Sequence, residues 1–251
     1  MDDTIIYGQH AVASLLDTAP QRVLEVWLQD GRDNRLSRRL HARYASGAIP
    51  LHVLPRVRLD ALLGGVRHQG VAVRAARGEA VDLDRLLAGV GTHTLLVLLD
   101  GVQDPRNLGA VLRSADGAGA GAVIVPRSRG VALTPAARKT ASGAADSVPV
   151  VEVANLARAM SALAAAGVRL LGTADDAARS VFETDLTGPL ALVLGAEDAG
   201  LRRLTRARCD ALMQIPMHGR VASLNVAVAA GVCLYEALRQ RTRVRDPGSA
   251  S

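Results

Sequence analysis

Five short apolar runs, broken by a charged side chain only at Arg169, punctuate the later two thirds of the chain, at residues 95–99, 122–125, 148–151, 168–171 and 190–194. Runs of this length without polar alternation fit strands covered on both faces. Between them, residues 108–115 and 156–166 carry apolar positions at helical spacing. Alternating strands and helices predict an α/β domain whose parallel sheet has helices on both faces. The first 75 residues have a different texture. Residues 8–16 read as a helix with Val12, Leu15 and Leu16 inward, and residues 34–44 as a helix with Leu36, Leu40 and Tyr44 on one face. Residues 23–28, 51–54 and 71–73 read as strands, so 1–75 form a small α/β unit. The weakly patterned stretch 76–93 reads as a linker with one helical turn, 94–240 as the larger domain, and 241–251 as a flexible tail expected to fray. A last helix follows residue 223, with Leu224, Val228, Gly231, Leu234, Tyr235 and Leu238 recurring at helical spacing. The glycines at 117, 119 and 121 follow a helix and precede a strand. That is the wrong order for a dinucleotide loop, so they read as a helix end and a tight turn.

Composition changes this picture little. Of 251 residues 49% are hydrophobic but only 2% aromatic, so the core must be built from Val, Leu, Ile and Ala. The net charge is +6, and residues 1–77 hold 11 basic against 7 acidic side chains, a modest bias toward a polyanionic partner. Lys139 is the single lysine among 30 basic residues, so arginine abundance by itself says little. Cys209 and Cys233 lack metal-ligand spacing and read as buried free thiols, with no metal site expected. No signal peptide or membrane-length apolar run is visible, which predicts a soluble, cytoplasmic protein.

Three segments place polar groups where strands end. After 95–99 come Asp100 and Gly101, then Asn107, Gly109 and Arg113 at the start of a helix. In open α/β sheets ligands bind beyond strand C-termini; the plain alternative makes Asn107 an N-cap and Arg113 a solvated helix residue. After 190–194 come Gly195, where a ligand can approach the backbone closely, and Glu197, a strand-end acid or a helix-initiating one. Finally Ile215-Pro216-Met217-His218-Gly219-Arg220 leads to Ser223, Leu224 and Asn225, where Ser223 reads as an N-cap or as something more. Arg35, Arg39 and Arg43 share one helix stripe, suited to RNA phosphates or to a solvated face. His68-Gln69-Gly70 reads as a turn before a strand.

In this order the segments resemble the SpoU (TrmH-like) family of RNA ribose 2′-O-methyltransferases: Asn107-x-Gly109-Ala110-x-x-Arg113, Gly195-x-Glu197-x-x-Gly200, and Ile215-Pro216 through Ser223-Leu224-Asn225-Val226. Ile6-Tyr7-Gly8-x-His10-Ala11-Val12 and His68-Gln69-Gly70-Val71 resemble the family's substrate-binding domain. The resemblance is closest to the branch acting on a guanosine ribose of bacterial 23S rRNA. It implies an α/β knot, a deep trefoil, rather than an ordinary sheet, although ordinary topology rules disfavour knots. It implies S-adenosylmethionine as cofactor, held by Leu194, Gly195, Ile215, Met217, Gly219 and Leu224. It implies Arg113 as the catalytic residue, with Asn107 and Glu197 positioning it or the substrate, and Ser223 and Asn225 ordering the cofactor loop. It implies 23S rRNA, or a precursor ribosomal particle, as partner, and a homodimer. Modification of tRNA or another rRNA site, and a non-enzymatic ribosome-assembly role, are the alternatives. Ala222 departs from the family, which often has a second serine there, and His218 and Arg220 stand where smaller residues are common.

Overall fold

A computed structural model of the chain describes residues 3–66, 68–76, 81–128, 130–197 and 199–245, without the side chains of His10, Ser14, Thr18 and 243–245. The His10 part of the N-terminal resemblance and the tail beyond 245 therefore lie outside the described residues. The chain divides into two units, Met1–Glu79 and Ala80–Ser251.

The first unit runs β1 (Asp3–Tyr7), α1 (Gln9–Thr18), β2 (Val23–Gln29), α2 (Arg35–Tyr44), β3 (Leu51–Leu54), α3 (Arg56–Leu62) and β4 (Val71–Ala76). Its sheet has the order β1-β4-β2-β3, with β2 and β3 parallel and β4 antiparallel to both its neighbours. The period-two alternation of β2 sends Val26 and Leu28 to a core with Val12, Leu15, Leu16 and Leu40, while Trp27 packs with Leu59 and Leu63 on the other face. Asn34 starts α2 with a reciprocal cap: its side chain accepts from the Leu36 and Ser37 amides, and Ser37 Oγ accepts from Asn34 N. The pattern did not predict β1 or α3. β1 buries only Ile6, and α3 fully buries only Leu59, so neither leaves a clear periodic signal.

The second unit holds α4 (Leu83–Ala88), β5 (Leu95–Asp100), α5 (Pro105–Gly117), β6 (Ala122–Pro126), α6 (Pro135–Ala141), α7 (Ala144–Ser147), β7 (Val150–Val153) and α8 (Leu156–Ala165). It continues with β8 (Arg169–Thr173), β9 (Leu190–Gly195), α9 (Arg203–Arg206), β10 (Ala211–Met213) and α10 (Val226–Arg245). The six-stranded sheet, β10-β8-β9-β5-β6-β7, is parallel throughout. Successive residues of β5 serve opposite cores. Leu95, Val97 and Leu99 face the helices α5 and α10, and Leu96 and Leu98 face α8. This two-sided burial is why β5, β6 and β9 read as unbroken apolar runs. The run at 148–151 becomes strand only from Val150, because Val148 closes α7.

Residues 81–90, read as part of a linker with one helical turn, form the short helix α4 and its flanks. Asp82 caps the helix by accepting from Arg85 N, and Val81, Leu83, Leu86, Leu87 and Val90 pack on the α8-side core. α5 ends as expected from its glycines: Gly119 turns left-handed at φ 73°, Gly119 N donates to Asp116 O, and Ala120 N to Ala115 O. This is a Schellman closure. Earlier in α5, Gly109 lies against α6 so tightly that a Cβ there would stand 2.4 Å from Ala137 O and 2.7 Å from Thr140 Cβ. Gly109→Ala is expected to destabilise the protein by about 1–3 kcal/mol, the usual cost of overpacking, read as a lower Tm. An unchanged Tm would contradict this close packing.

α10 departs from expectation in three ways. It begins at Val226, one residue after its cap, Asn225, whose Oδ1 accepts from Ala227 N at 2.9 Å; Ser223 is therefore not the N-cap. Its buried stripe is Val226, Ala230, Cys233, Leu234 and Ala237, whereas Val228 and Tyr235 are each 53% exposed. Its far end does not fray at Arg241. The Arg241 guanidinium donates to the carbonyls of His93, Thr94, Leu186 and Gly188, and Gln240 bonds Leu186 N and Thr184 O. These bonds fasten the helix to the β8–β9 connection and to the residues before β5, while its other flank packs on α5. After the edge strand β10 the chain returns to pack α10 against α5 and β9, elements formed earlier, as an α/β knot requires. Cys233 is buried as expected and Cys209 only half-buried; burial pushes Cys209 up to about 11 and Cys233 up to about 12, so neither ionises near neutral pH.

Candidate active site

β8 and β9 are neighbours, and their C-terminal ends open onto one cleft of about 310 Å³. Thr173 and Ala174 come from β8, Leu194 and Gly195 from β9, and Ile215, Met217, Ser223 and Leu224 from the segment entering α10. The turn after β9 is held shut by backbone pairing of Ala196 with Gly200. Gly195 is needed for this closure. A Cβ on it would lie 2.1 Å from Gly200 C and 2.4 Å from Leu201 N, so the space its missing side chain leaves is filled by the protein's own backbone, not by a ligand. Beneath the turn, Asp100 is 1% exposed and accepts from Arg202 N at 2.9 Å, with the Arg202 guanidinium 3.5 Å away. A buried carboxylate needs such partners. Asp100 thus ties the turn to the end of β5, a role the sequence pattern did not bring out.

The three segments meet at the edge of this cleft. Asn107 Nδ2 donates to Glu197 Oε1 at 2.8 Å, and Asn225 Nδ2 donates to the same oxygen at 2.6 Å and to Asn107 Oδ1 at 3.0 Å. Asn225 Oδ1 is used by the start of α10. Residues separated by 90 and 118 positions thereby fix one another, and Glu197 keeps Oε2 outside this triangle. The plain readings of two residues fall away. The N-cap of α5 is Asp104, which accepts from Arg106 N, not Asn107. Glu197 starts no helix but sits in the turn after β9.

Arg113 is exposed on α5 and, among the described residues, has no hydrogen-bond or ion-pair partner. Six residues at 100° each put it about 120° around the helix from Asn107 and about 9 Å along it. Asn107 and Glu197 accordingly hold each other and Asn225, and neither bonds Arg113; of the two roles expected for them, positioning Arg113 or the substrate, no direct bond serves the first. Ser223 lines the cleft but makes none of the triangle's bonds. Leu194, Gly195, Ile215, Met217 and Leu224 line the cleft as expected, whereas Gly219 does not. His218, Gly219 and Arg220 are exposed.

The far wall was not anticipated. Asp175 and Arg206 complete the cleft, and Arg206 forms a bidentate pair with Asp176 at 2.9 Å, which holds that carboxyl below its usual range. The rule that located the ends of β5 and β9 applies equally to β8 and would have pointed to 173–176. No group of metal-ligating residues is found among the described residues. In the first unit, Arg35, Arg39 and Arg43 lie exposed on α2 opposite Leu36, Leu40 and Tyr44, and Arg39 pairs with Asp17 at 2.6 Å.

The cleft fits a nucleoside bearing a cationic amino-acid tail. Its volume lies at the lower end of small-molecule sites, and its walls combine aliphatic side chains with Asp175, Glu197, Arg206, Ser223 and the backbone of two turns. The exposed carboxylate of Asp175 stands where positive charge is favoured.

Comparison with known proteins agrees with this geometry. Residues 94–235 match the SpoU rRNA Methylase family, and residues 5–80 match the RNA 2′-O ribose methyltransferase substrate binding family. The chain is 51% identical over 240 residues to the 23S rRNA (guanosine-2′-O-)-methyltransferase RlmB of Yersinia pestis, covering 94% of this chain and 97% of that one. It is 48% identical to the RlmB of Escherichia coli K12, covering 95% and 99%. Among solved structures, the SpoU methyltransferase AviRb of Streptomyces viridochromogenes, in complex with AdoMet, superposes with a TM-score of 0.75 at 29% identity, covering 96% of this chain and 91% of that one. The A. aeolicus TrmH/SpoU tRNA modifying enzyme superposes at 0.55 with 28% identity, covering 66% of this chain and 84% of its own.

Proposed function

The chain belongs to the SpoU family of RNA methyltransferases, and on that premise we propose that it methylates the ribose 2′-hydroxyl of a guanosine in 23S rRNA, using S-adenosylmethionine. The observation that carries the reading is the Asn107–Glu197–Asn225 triangle, which joins three distant segments at the edge of the cleft. The near-50% identity to RlmB proteins over almost the whole of both chains supports the choice of 23S rRNA. The enzyme is cytoplasmic in this reading, and its substrate is the rRNA or a precursor ribosomal particle.

When bound, S-adenosylmethionine supplies an activated methyl group on a good leaving group. Leu194, Ile215 and Leu224 would offer apolar surface to the adenosine, the backbone of the two turns would offer donors and acceptors, and Asp175 would balance the cationic tail. The triangle fixes the mouth of the cleft so that Glu197 Oε2 meets the incoming ribose in a set position, a gain in orientation rather than in chemistry. Arg113 does not serve as a proton acceptor, because guanidinium stays charged in proteins. It holds an RNA phosphate by its planar fork and stabilises the negative charge growing on the attacking oxygen, while the proton leaves through phosphate or water. Arg35, Arg39 and Arg43 add phosphate contacts from the first unit.

The enzyme acts as a homodimer in this reading. Val228 and Tyr235 support it, as exposed apolar side chains on a helix whose opposite face is core. The chain should run in light scattering at twice its 26.2 kDa mass, and Val228→Asp should shift it toward the single-chain mass with lower activity. A wild-type monomer with full activity would contradict the dimer. The activity itself is tested by methyl transfer from labelled S-adenosylmethionine to unmodified transcripts. Incorporation into 23S but not 16S rRNA or tRNA is expected, and preference for tRNA would overturn the substrate assignment.

A further inference from the structure

The first unit contains a second cleft, of about 540 Å³, that the methyl-transfer site leaves unused. It opens between the start of α1, the end of β2, α3 and the turn before β4. Two guanidinium groups (Arg32, Arg56) and three carboxamides (Gln9, Gln29, Gln69) line it, and Val66 is its one apolar side chain.

Its floor is built from a buried histidine. His68 is 4% exposed, and its Nδ1 accepts from Gly70 N at 3.0 Å. The ring proton therefore sits on Nε2, which donates to Asp60 Oδ1 at 2.7 Å. The other Asp60 oxygen faces Arg56 Nε at 3.6 Å. This frame holds Gln69 at φ 53°, one of two non-glycine residues with positive φ among those described. Strain of that kind persists only where its surroundings impose it, and it concentrates at functional sites. Gln69 Oε1 accepts from Gln9 N at 3.0 Å, leaving Gln69 Nε2 as a donor at the cleft. Gly70 has a positive φ and lies under Arg32, whose Cδ would stand 2.6 Å from a Cβ there. The lack of a side chain lets Arg32 lie over the turn. Among the described residues Arg32 has no hydrogen-bond or ion-pair partner.

A flat, unpaired guanidinium beside several carboxamides matches an unpaired nucleotide. Exposed bases stack on arginine planes, carboxamides read base edges, and a second cation meets phosphate. The chain has only one Trp, three Tyr and one Phe, and none lines this cleft, so stacking falls to Arg32. We infer that this cleft holds one unpaired nucleotide of the substrate RNA, with Arg32 on the base plane, Gln69 on the base edge and Arg56 toward the phosphate. The inference rests on the methyltransferase reading above and adds a specificity site to it.

The test uses the full-length enzyme and protein-free, unmodified 23S rRNA transcript. Arg32→Ala should raise the KM for RNA about tenfold, with a much smaller change in kcat, and leave S-adenosylmethionine affinity unchanged. Gln69→Gly removes the side chain and relieves the positive φ, so its Tm should move by less than about 2 °C while the KM rises several-fold. A merely structural turn would move Tm and leave KM alone, and that result overturns the inference. So does a loss seen only on precursor ribosomal particles, which would assign the cleft to a protein partner. Should the wild-type enzyme methylate no rRNA at all, the underlying reading fails, and this inference with it. Wild-type activity with an unchanged KM in both variants rejects the cleft alone.

Discussion

Arg113→Ala should lower methyl transfer at saturating RNA and cofactor by about 10²–10³-fold, the usual loss when a preorganised group facing developing charge is removed. S-adenosylmethionine affinity should stay within about twofold of wild type, because Arg113 does not line the cofactor cleft. Folding should be nearly unaffected as well, since the side chain is exposed and has no partner among the described residues. The separation of these three effects is the informative part. Arg113→Lys keeps the charge but loses the planar fork, so it should recover only a small fraction of the rate. Near-normal turnover in the lysine variant would show that a point charge suffices. A large loss of cofactor affinity in the alanine variant would place Arg113 in the cleft, against the geometry.

Gly195→Ala should have the second largest effect, and on the other side of the reaction. A methyl group there would stand 2.1 to 2.4 Å from the backbone of Gly200 and Leu201, and backbone cannot swing aside as a flexible side chain can. The turn must open, breaking the Ala196–Gly200 closure that forms one wall of the cleft. Calorimetric titration should show S-adenosylmethionine affinity reduced about 100-fold or more, an estimate that takes overpacking of about 1–3 kcal/mol together with loss of preorganised wall contacts. The Asn107–Glu197–Asn225 triangle should loosen with it, because Glu197 rides on the same turn. Wild-type affinity in this variant would mean that the turn is not needed in its closed form.

Where burial is two-sided, the elements could be read from the sequence directly. β5, β6 and β9 appear as apolar runs because each alternate residue has its own core to enter. The elements that went unread bury little: β1 contributes Ile6, β10 contributes Met213, and α3 contributes Leu59. α10 misled in a specific way. Val228 and Tyr235 fit helical spacing with Leu224, but the buried stripe runs through Ala230, Cys233 and Ala237, small residues that give a weak periodic signal and admit close packing on α5. At the site, Asn107, Glu197 and Asn225 were identifiable as polar groups at strand and helix ends. Their mutual bonding was not, since it depends on the chain threading back from β10. Asp100 was passed over because a strand-terminal Asp before a Gly resembles an ordinary turn, and only its burial and its bond from Arg202 N show that it anchors the turn after β9. The reading of Gly195 changed most: its small size serves the closing of the protein's own turn.

The most direct measurement is mass-spectrometric mapping of ribose methylation in 23S rRNA from cells lacking this chain. One 2′-O-methylguanosine should disappear, return when the wild-type chain is supplied, and stay absent with Arg113→Ala. An unchanged set of 23S rRNA ribose methylations in the deletion strain, or restoration of the mark by Arg113→Ala, would contradict the account.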